Sequence, residues 1–168
     1  MGTCFSSNIK NSKSIKEQDL INDLDKIDPN SIPDVFYQDR PIIAKVIDVY
    51  DGDTIKVIFL IDTIPIKISL RLNGIDTPEI KKYKGKLEEE KPAGIICRDR
   101  LKELIENKIV TIVIRRWDKY ARLVADVYWN NLNVNQYMIR HGLAKPYFGS
   151  TKIEWTIEEL NIILLSKK

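Results

Sequence analysis

Three consecutive segments between residues 45 and 72 constrain this chain more than any other feature. Residues 45–50 and 54–61 are dense in Val and Ile and read as strands, and Asp51-Gly52-Asp53 between them is a turn signal. In residues 64–72, Ile66, Ile68, Leu70 and Leu72 alternate with Lys67, Ser69 and Arg71. Side chains on a strand point alternately to its two faces, so Arg71 is expected opposite the apolar set. Asn73-Gly74 turns the chain. Asp76-Thr77-Pro78-Glu79 reads as a polar loop, because Pro78 biases Thr77 away from helix.

After a basic loop at 81–86, the spacing predicts a helix over 92–107 with Cys97, Leu101, Leu104 and Ile105 on one face. Strands are expected over 110–115 and 123–129, and a short helix over 133–140 stopped by Gly142. A last helix is expected over 151–165, with Thr151 and Glu154 as a capping box. Upstream, Ser14 and Glu17 form another such box, and Leu20, Ile21, Leu24 and Ile27 follow at helical spacing. The predicted class is α+β: a five-stranded OB-fold-type β-barrel with about three helices, preceded by a short N-terminal helix and tail. A five-stranded sheet packed against helices is the alternative. The expected division is a tail over 1–40 and a globular domain over 41–168.

At 168 residues the chain has room for one such domain and a tail. No apolar run approaches 18 residues, and the first twelve residues lack the apolar stretch of a secretory signal. The two cysteines, Cys4 and Cys97, give no disulfide framework, so a reducing, intracellular setting is expected. With His141 as its single histidine, the chain is poorly equipped for a zinc site or a histidine-based nucleophilic mechanism. Lys10, Lys13 and Lys16 account for the net charge of +3, leaving 24 basic and 24 acidic residues after them. A nucleic acid would therefore meet a local patch and not a global field.

Asp51, Asp53, Arg71, Asp76, Glu79 and Arg122 fall at turns and strand ends. Such a set supplies oxygen ligands for a hard cation, guanidinium groups for a phosphoryl charge, and a carboxylate to orient or deprotonate water. Each piece alone is ordinary surface chemistry. Their order is not. VIDVYDGDTIK at 46–56, RLNGIDTPE at 71–79, DKYARLVA at 118–125 and VNQYMIRHGLAK at 134–145 together resemble the staphylococcal-nuclease-like (thermonuclease) family over residues 42–148.

The resemblance implies an OB-type barrel and one calcium ion. It assigns Asp53 and Asp76 as carboxylate ligands, Thr77 through its backbone carbonyl, and Asp51 in support. It gives Arg71 to the phosphate, Glu79 to the attacking water, and Arg122 to the pentacoordinate transition state and leaving oxygen. Lys81, Lys82, Lys84 and Tyr147 become candidates for substrate binding. The implied activity is calcium-dependent hydrolysis of DNA and RNA, endonucleolytic and leaving 3′-phosphates, by a monomer. The rival is an inactive nuclease-like module that binds nucleic acid or protein. Where the family commonly has Gly before the second arginine, this chain has Ala121; at positive φ an alanine costs about 1 kcal/mol.

Met1-Gly2-Thr3-Cys4-Phe5-Ser6 fits the N-myristoylation pattern at Gly2, with Cys4 placed for palmitate. It resembles the start of plant calcium-dependent nucleases of the same family. Acylation implies the cytoplasmic face of a membrane; without it the cytoplasm is expected.

Overall fold

The computed structural model describes residues 17–31, 39–81, 85, 87–149 and 151–166. Gly2, Cys4, Ser14, Lys82, Lys84 and Lys86 lie outside the described residues. The chain divides into two compact units, the second beginning at residue 37. In the first, residues 17–25 are helical (α1), and a short 3-10 turn runs over Pro29–Ser31. Leu20, Ile21, Leu24 and Ile27 are all exposed.

The second unit holds the strands β1 (Pro41–Asp51), β2 (Thr54–Ile61), β3 (Ile64–Leu72), β4 (Ile75–Asp76), β5 (Ile109–Trp117), β6 (Leu123–Trp129), β7 (Leu132–Asn133) and β8 (Lys145–Pro146). Its helices are α2 (Glu90–Ile105), α3 (Val134–Arg140) and α4 (Ile157–Leu165). β1 pairs antiparallel with both β2 and β5, β2 with β3, and β5 with β6. A parallel pairing of β3 with β6, Leu70 opposite Leu123 through Leu72 opposite Ala125, closes the five long strands into a barrel. This is the α+β, OB-type barrel expected from the order of elements. Closure leaves those five strands no free edge among themselves.

The inward alternation fills the barrel. Val46, Ile55, Val57, Leu70, Ile112, Ile114, Leu123, Ala125 and Val127 are all completely buried. Each large aliphatic side chain buried this way stabilises the fold by roughly 1.5–3 kcal/mol. Cys97, Leu101 and Ile105 bury one face of α2, which packs on β1 and α4. Burial pushes the Cys97 thiol up to about 12, so it behaves as a small core residue.

Several boundaries differ from those predicted. β1 begins at Pro41 because Pro41–Lys45 pairs with Ile109–Val113 of β5, a partner that local periodicity cannot reveal. α2 begins at Glu90, with Pro92 in its first turn, where the missing N–H costs nothing. It ends at Ile105, two residues early, since Asn107 turns to a φ of +60°. The last helix starts at Ile157, not near 151. Its capping box is Thr156 with Glu159, and Lys145 holds Glu159 at 2.6 Å. β4, β7 and β8 are two-residue pairings too short to leave a periodic signal.

Gly94 sets how closely α2 approaches the Asp76–Glu79 loop. A Cβ at that position would lie 2.4 Å from the Pro78 carbonyl oxygen. Helix propensity alone would make Gly94→Ala stabilising by about 1 kcal/mol. The contact with Pro78 dictates the opposite sign, a loss of about 1–3 kcal/mol from overpacking. Thermal or denaturant unfolding of the variant decides between the two, and any net stabilisation would show that the loop does not depend on this seat.

Candidate active site

The barrel brings three strand ends to one mouth. Thr54, the first residue of β2, lies opposite Arg71 near the end of β3, and Arg71 in turn lies opposite Val124 of β6. The Asp51-Gly52-Asp53 turn precedes β2, and a bulge between Val49 and Asp51 re-aims the chain as it enters the turn. Asp51 accepts the Asp53 N–H at 3.2 Å, and the Asp53 carbonyl accepts the Leu72 N–H at 2.8 Å. Gly52 is required there: a Cβ would meet the Cβ atoms of Thr77 and Cys97, each at 2.9 Å.

Arg71 is the hub. Nη1 lies 2.5 Å from Asp53 Oδ2, and Nη2 donates to Asp76 Oδ1 at 3.0 Å and to the Ile75 carbonyl at 3.1 Å. Asp53 and Asp76 are 4% and 6% exposed, so both carboxylates are nearly out of water. Burial pushes the Asp53 carboxyl up to about 8, against the pull of Arg71 and with repulsion from Asp51 adding to it. The close ion pair argues for an ionised Asp53, while burial argues for a protonated one. The upward direction follows because burial outweighs the pull of Arg71.

Arg122 reaches the same mouth from the turn before β6. Asp118 Oδ1 accepts the N–H groups of Tyr120 and Arg122 at 2.8 and 2.9 Å, and its Oδ2 accepts from Arg122 Nε at 2.6 Å. These three donors hold the Asp118 carboxyl below its usual range in spite of partial burial. Ala121 sits at a φ of +58°. The turn does require the left-handed conformation, and the Asp118 hydrogen bonds keep Arg122 in place at that cost. Arg122 Nη1 contacts Thr54 Oγ1 at 3.2 Å, and that hydroxyl donates to Asp53 Oδ1 at 2.9 Å.

Glu79 is held by its backbone and its tip. Its N–H donates at 3.3 Å to Oε1 of Glu90, a carboxylate buried in the first turn of α2. Its Oε1 accepts from Lys152 Nζ at 2.9 Å, and the same ammonium lies 2.8 Å from Asp76 Oδ1. β4 pairs with β8, Asp76 opposite Lys145, which carries the chain on to Tyr147. Tyr147 donates its N–H to the Gly74 carbonyl at 2.9 Å, and its ring lies 5.9 Å from the Arg71 guanidinium. Asn135 of α3 fixes the neighbouring turn, accepting from Val127 N–H at 3.0 Å and donating to the Asn73 carbonyl at 2.8 Å.

The structure thus brings Asp51, Asp53, Arg71, Thr77, Glu79 and Arg122 to the walls of one cleft of about 1030 Å³, with Lys81 and Tyr147 at its borders. Asp76 lies against it through Arg71 and Lys152. Glu90, Gly94 and Lys152 are among the contributors that the sequence did not single out. Gly94 sits on a helix that looked purely structural, although a lone Gly inside a helical run was a signal of close approach, and Glu90 lies ahead of that helix's predicted start at 92. Lys152 lies in a segment expected to be helical and left no signal.

A model of the family described as "Staphylococcal nuclease homologue" matches residues 69–162. The chain belongs to this family. The match contains Arg71, Asp76, Glu79 and Arg122 and begins after the Asp51–Asp53 turn. An uncharacterised endonuclease of Escherichia coli is 36% identical over 107 residues, 63% of this chain and 61% of that protein. Endonuclease Htp3 of Saprolegnia parasitica is 31% identical over 134 residues, 70% of this chain and 62% of its own length. Staphylococcal-like nuclease CAN1 of Arabidopsis thaliana is 34% identical over 86 residues, 51% of this chain and 24% of the relative. The chain therefore spans less than two thirds of each of these relatives.

Burial couples the Asp53 proton to folding. The folded state holds this proton more tightly than the unfolded chain. The stabilisation is complete below the ordinary value of 3.8 and is lost as pH rises through about 8. In the metal-free protein the Tm advantage of wild type over Asp53→Asn should shrink from pH 5 to pH 8. Each kcal/mol corresponds to about 2–4 °C in a domain of this size. An advantage that grows with pH would mean that the Arg71 pair, and not burial, governs Asp53.

Proposed function

We propose that this chain is a calcium-dependent nuclease that hydrolyses phosphodiester bonds in DNA and RNA. The observation carrying this reading is the convergence of Asp53, Arg71, Glu79 and Arg122 on one cleft, with Asp76 held against it by Arg71. Family membership and relatives named as endonucleases support it. The donor set fits a hard cation: two nearly buried carboxylates share one guanidinium, and Thr77 follows Asp76 in the chain. Among the described residues no group of three or more His, Cys, Asp or Glu is placed to hold a metal, so backbone carbonyls and water would complete the shell. Asp53, Asp76 and the Thr77 carbonyl would hold the ion, with Asp51 in support. Bound there, calcium supplies Lewis-acid polarisation of a phosphoryl oxygen.

The chain's own groups do the rest. Glu79, 35% exposed at its side chain, faces the cleft and can orient or deprotonate a water for in-line attack on phosphorus. Arg71, anchored by Asp53 and Asp76, presents a fixed guanidinium to the phosphate. Arg122, held by Asp118, serves the charge that grows on the equatorial and leaving oxygens. Planar guanidinium forks match phosphate oxygens better than ammonium groups do. Both arginines are fixed before substrate arrives, so little reorganisation is needed as charge develops. Cleavage of the 5′-O–P bond leaves a 3′-phosphate. Single-stranded or frayed substrate is favoured, because a base must leave its stack to reach the cleft. Lys81, Lys82, Lys84 and Tyr147 are proposed to carry the strand. Acylation at Gly2 and Cys4 is proposed to hold the enzyme at the cytoplasmic face of a membrane, since a single myristoyl chain binds only marginally.

Denatured DNA incubated with the purified protein should be cut in calcium and spared in chelator. Glu79→Gln should slow cleavage by about 10²-fold or more. Folded protein that leaves the DNA intact in calcium would overturn the nuclease reading in favour of a binding module. In cells, Gly2→Ala should move the protein from the membrane fraction to the soluble fraction while its nuclease activity stays the same. Membrane association that survives the change would dismiss the myristoyl anchor.

A further inference from the structure

Lys152 belongs to none of the motifs that define the site, yet its ammonium sits between two of the site's carboxylates. Nζ is 2.8 Å from Asp76 Oδ1 and 2.9 Å from Glu79 Oε1. Burial lowers the affinity of this amine for its proton, but the two carboxylates more than offset that, and its proton is held more tightly than usual. Asp76 Oδ1 therefore receives two cationic donors, Arg71 Nη2 at 3.0 Å and Lys152 Nζ at 2.8 Å. A hard cation binding through that oxygen must displace one of them.

The two donors are not equally held. Arg71 keeps Asp53 at 2.5 Å and the Ile75 carbonyl at 3.1 Å, and its side chain is 15% exposed. Lys152 is held through Asp76 and Glu79, on a side chain 39% exposed and in a stretch outside any helix or strand. Lysine also has a flexible stem and a compact charge, so it can swing to water at small cost. Lys152 is the donor that yields. When it does, it releases Glu79 Oε1 in the same movement.

We propose that Lys152 is an internal cation of the metal-free site that competes with the divalent ion for Asp76 and masks Glu79 until that ion arrives. Ion entry and exposure of Glu79 are then one event, and the general base stays paired in protein that holds no metal. The inference rests on the calcium reading of the site above.

The test is calcium titration of the full chain by calorimetry, which needs no substrate and reads no turnover. Lys152→Ala should bind calcium about three- to tenfold more tightly than wild type, since the competing charge is gone. Lys152→Met, which keeps the aliphatic stem, should do the same and guards against loss of folding in the alanine variant. Lys152→Arg should return the affinity to within about twofold of wild type. Lys119→Ala removes another cation of the same cleft and should leave the affinity within about twofold. Unchanged or weaker binding in both Lys152→Ala and Lys152→Met would overturn the proposal. An equal gain in Lys119→Ala would overturn it too, because the effect would then be a general field. If neither wild type nor any variant binds calcium, the calcium reading fails and the proposal falls with it.

Discussion

The arrangement at the barrel mouth depends on one guanidinium shared by two nearly buried carboxylates. Arg71 alone connects Asp53, which enters from the turn before β2, with Asp76, which enters from β4. Removing two carboxylates from water is expensive unless each is paired. The chain meets that requirement only in part, since Lys152 is recruited as a second cation for Asp76 and burial still pushes the Asp53 carboxyl up. The result is a buried carboxylate pair at the mouth of a cleft whose wider lining is rich in cations: Lys81, Arg98, Arg116, Lys119 and Arg122 stand there beside Arg71 and Lys152. A concave surface lined mostly by one sign of charge favours an anion.

Barrel closure is what makes the shared pair possible. Arg71 and Arg122 are 51 positions apart in the chain, and the parallel pairing of β3 with β6, Arg71 opposite Val124, brings Arg122 in from the turn just before β6. The Thr54 hydroxyl then links the Arg122 fork to the Asp53 carboxylate. Outside the barrel, α2 serves as a seat. Gly94 admits the Pro78 carbonyl and Glu90 receives the Glu79 N–H, so the position of the proposed general base is decided by a helix face. Catalytic geometry of this kind is only as good as the packing behind it.

The long strands were legible because each is a run dense in β-branched and other apolar residues, and 64–72 also alternates. β2, β3 and β6 run over the residues read from the sequence. The errors came where the deciding contact is distant. The strand expected from residue 45 begins at Pro41 only because Pro41–Lys45 finds β5 to pair with. Thr151 with Glu154 and Thr156 with Glu159 are equally good capping boxes in sequence. The structure uses the second, where Lys145, fourteen residues back, holds Glu159. The positive φ of Ala121 was anticipated as a condition, and Asp118 supplies the hydrogen bonds that let the turn meet it.

The sequence by itself determined the residue chemistry and the order of elements: which side chains are carboxylates and guanidiniums, and which segments alternate. Those are local properties, written in adjacent residues. Only the tertiary structure decided that Asp53 and Asp76 share Arg71, that Glu79 rests on Gly94, and that Lys152 closes the pair from the far end of the domain. Such contacts join residues separated by up to 76 positions, as Lys152 and Asp76 are. They depend on strand register and helix seating, which no local pattern encodes.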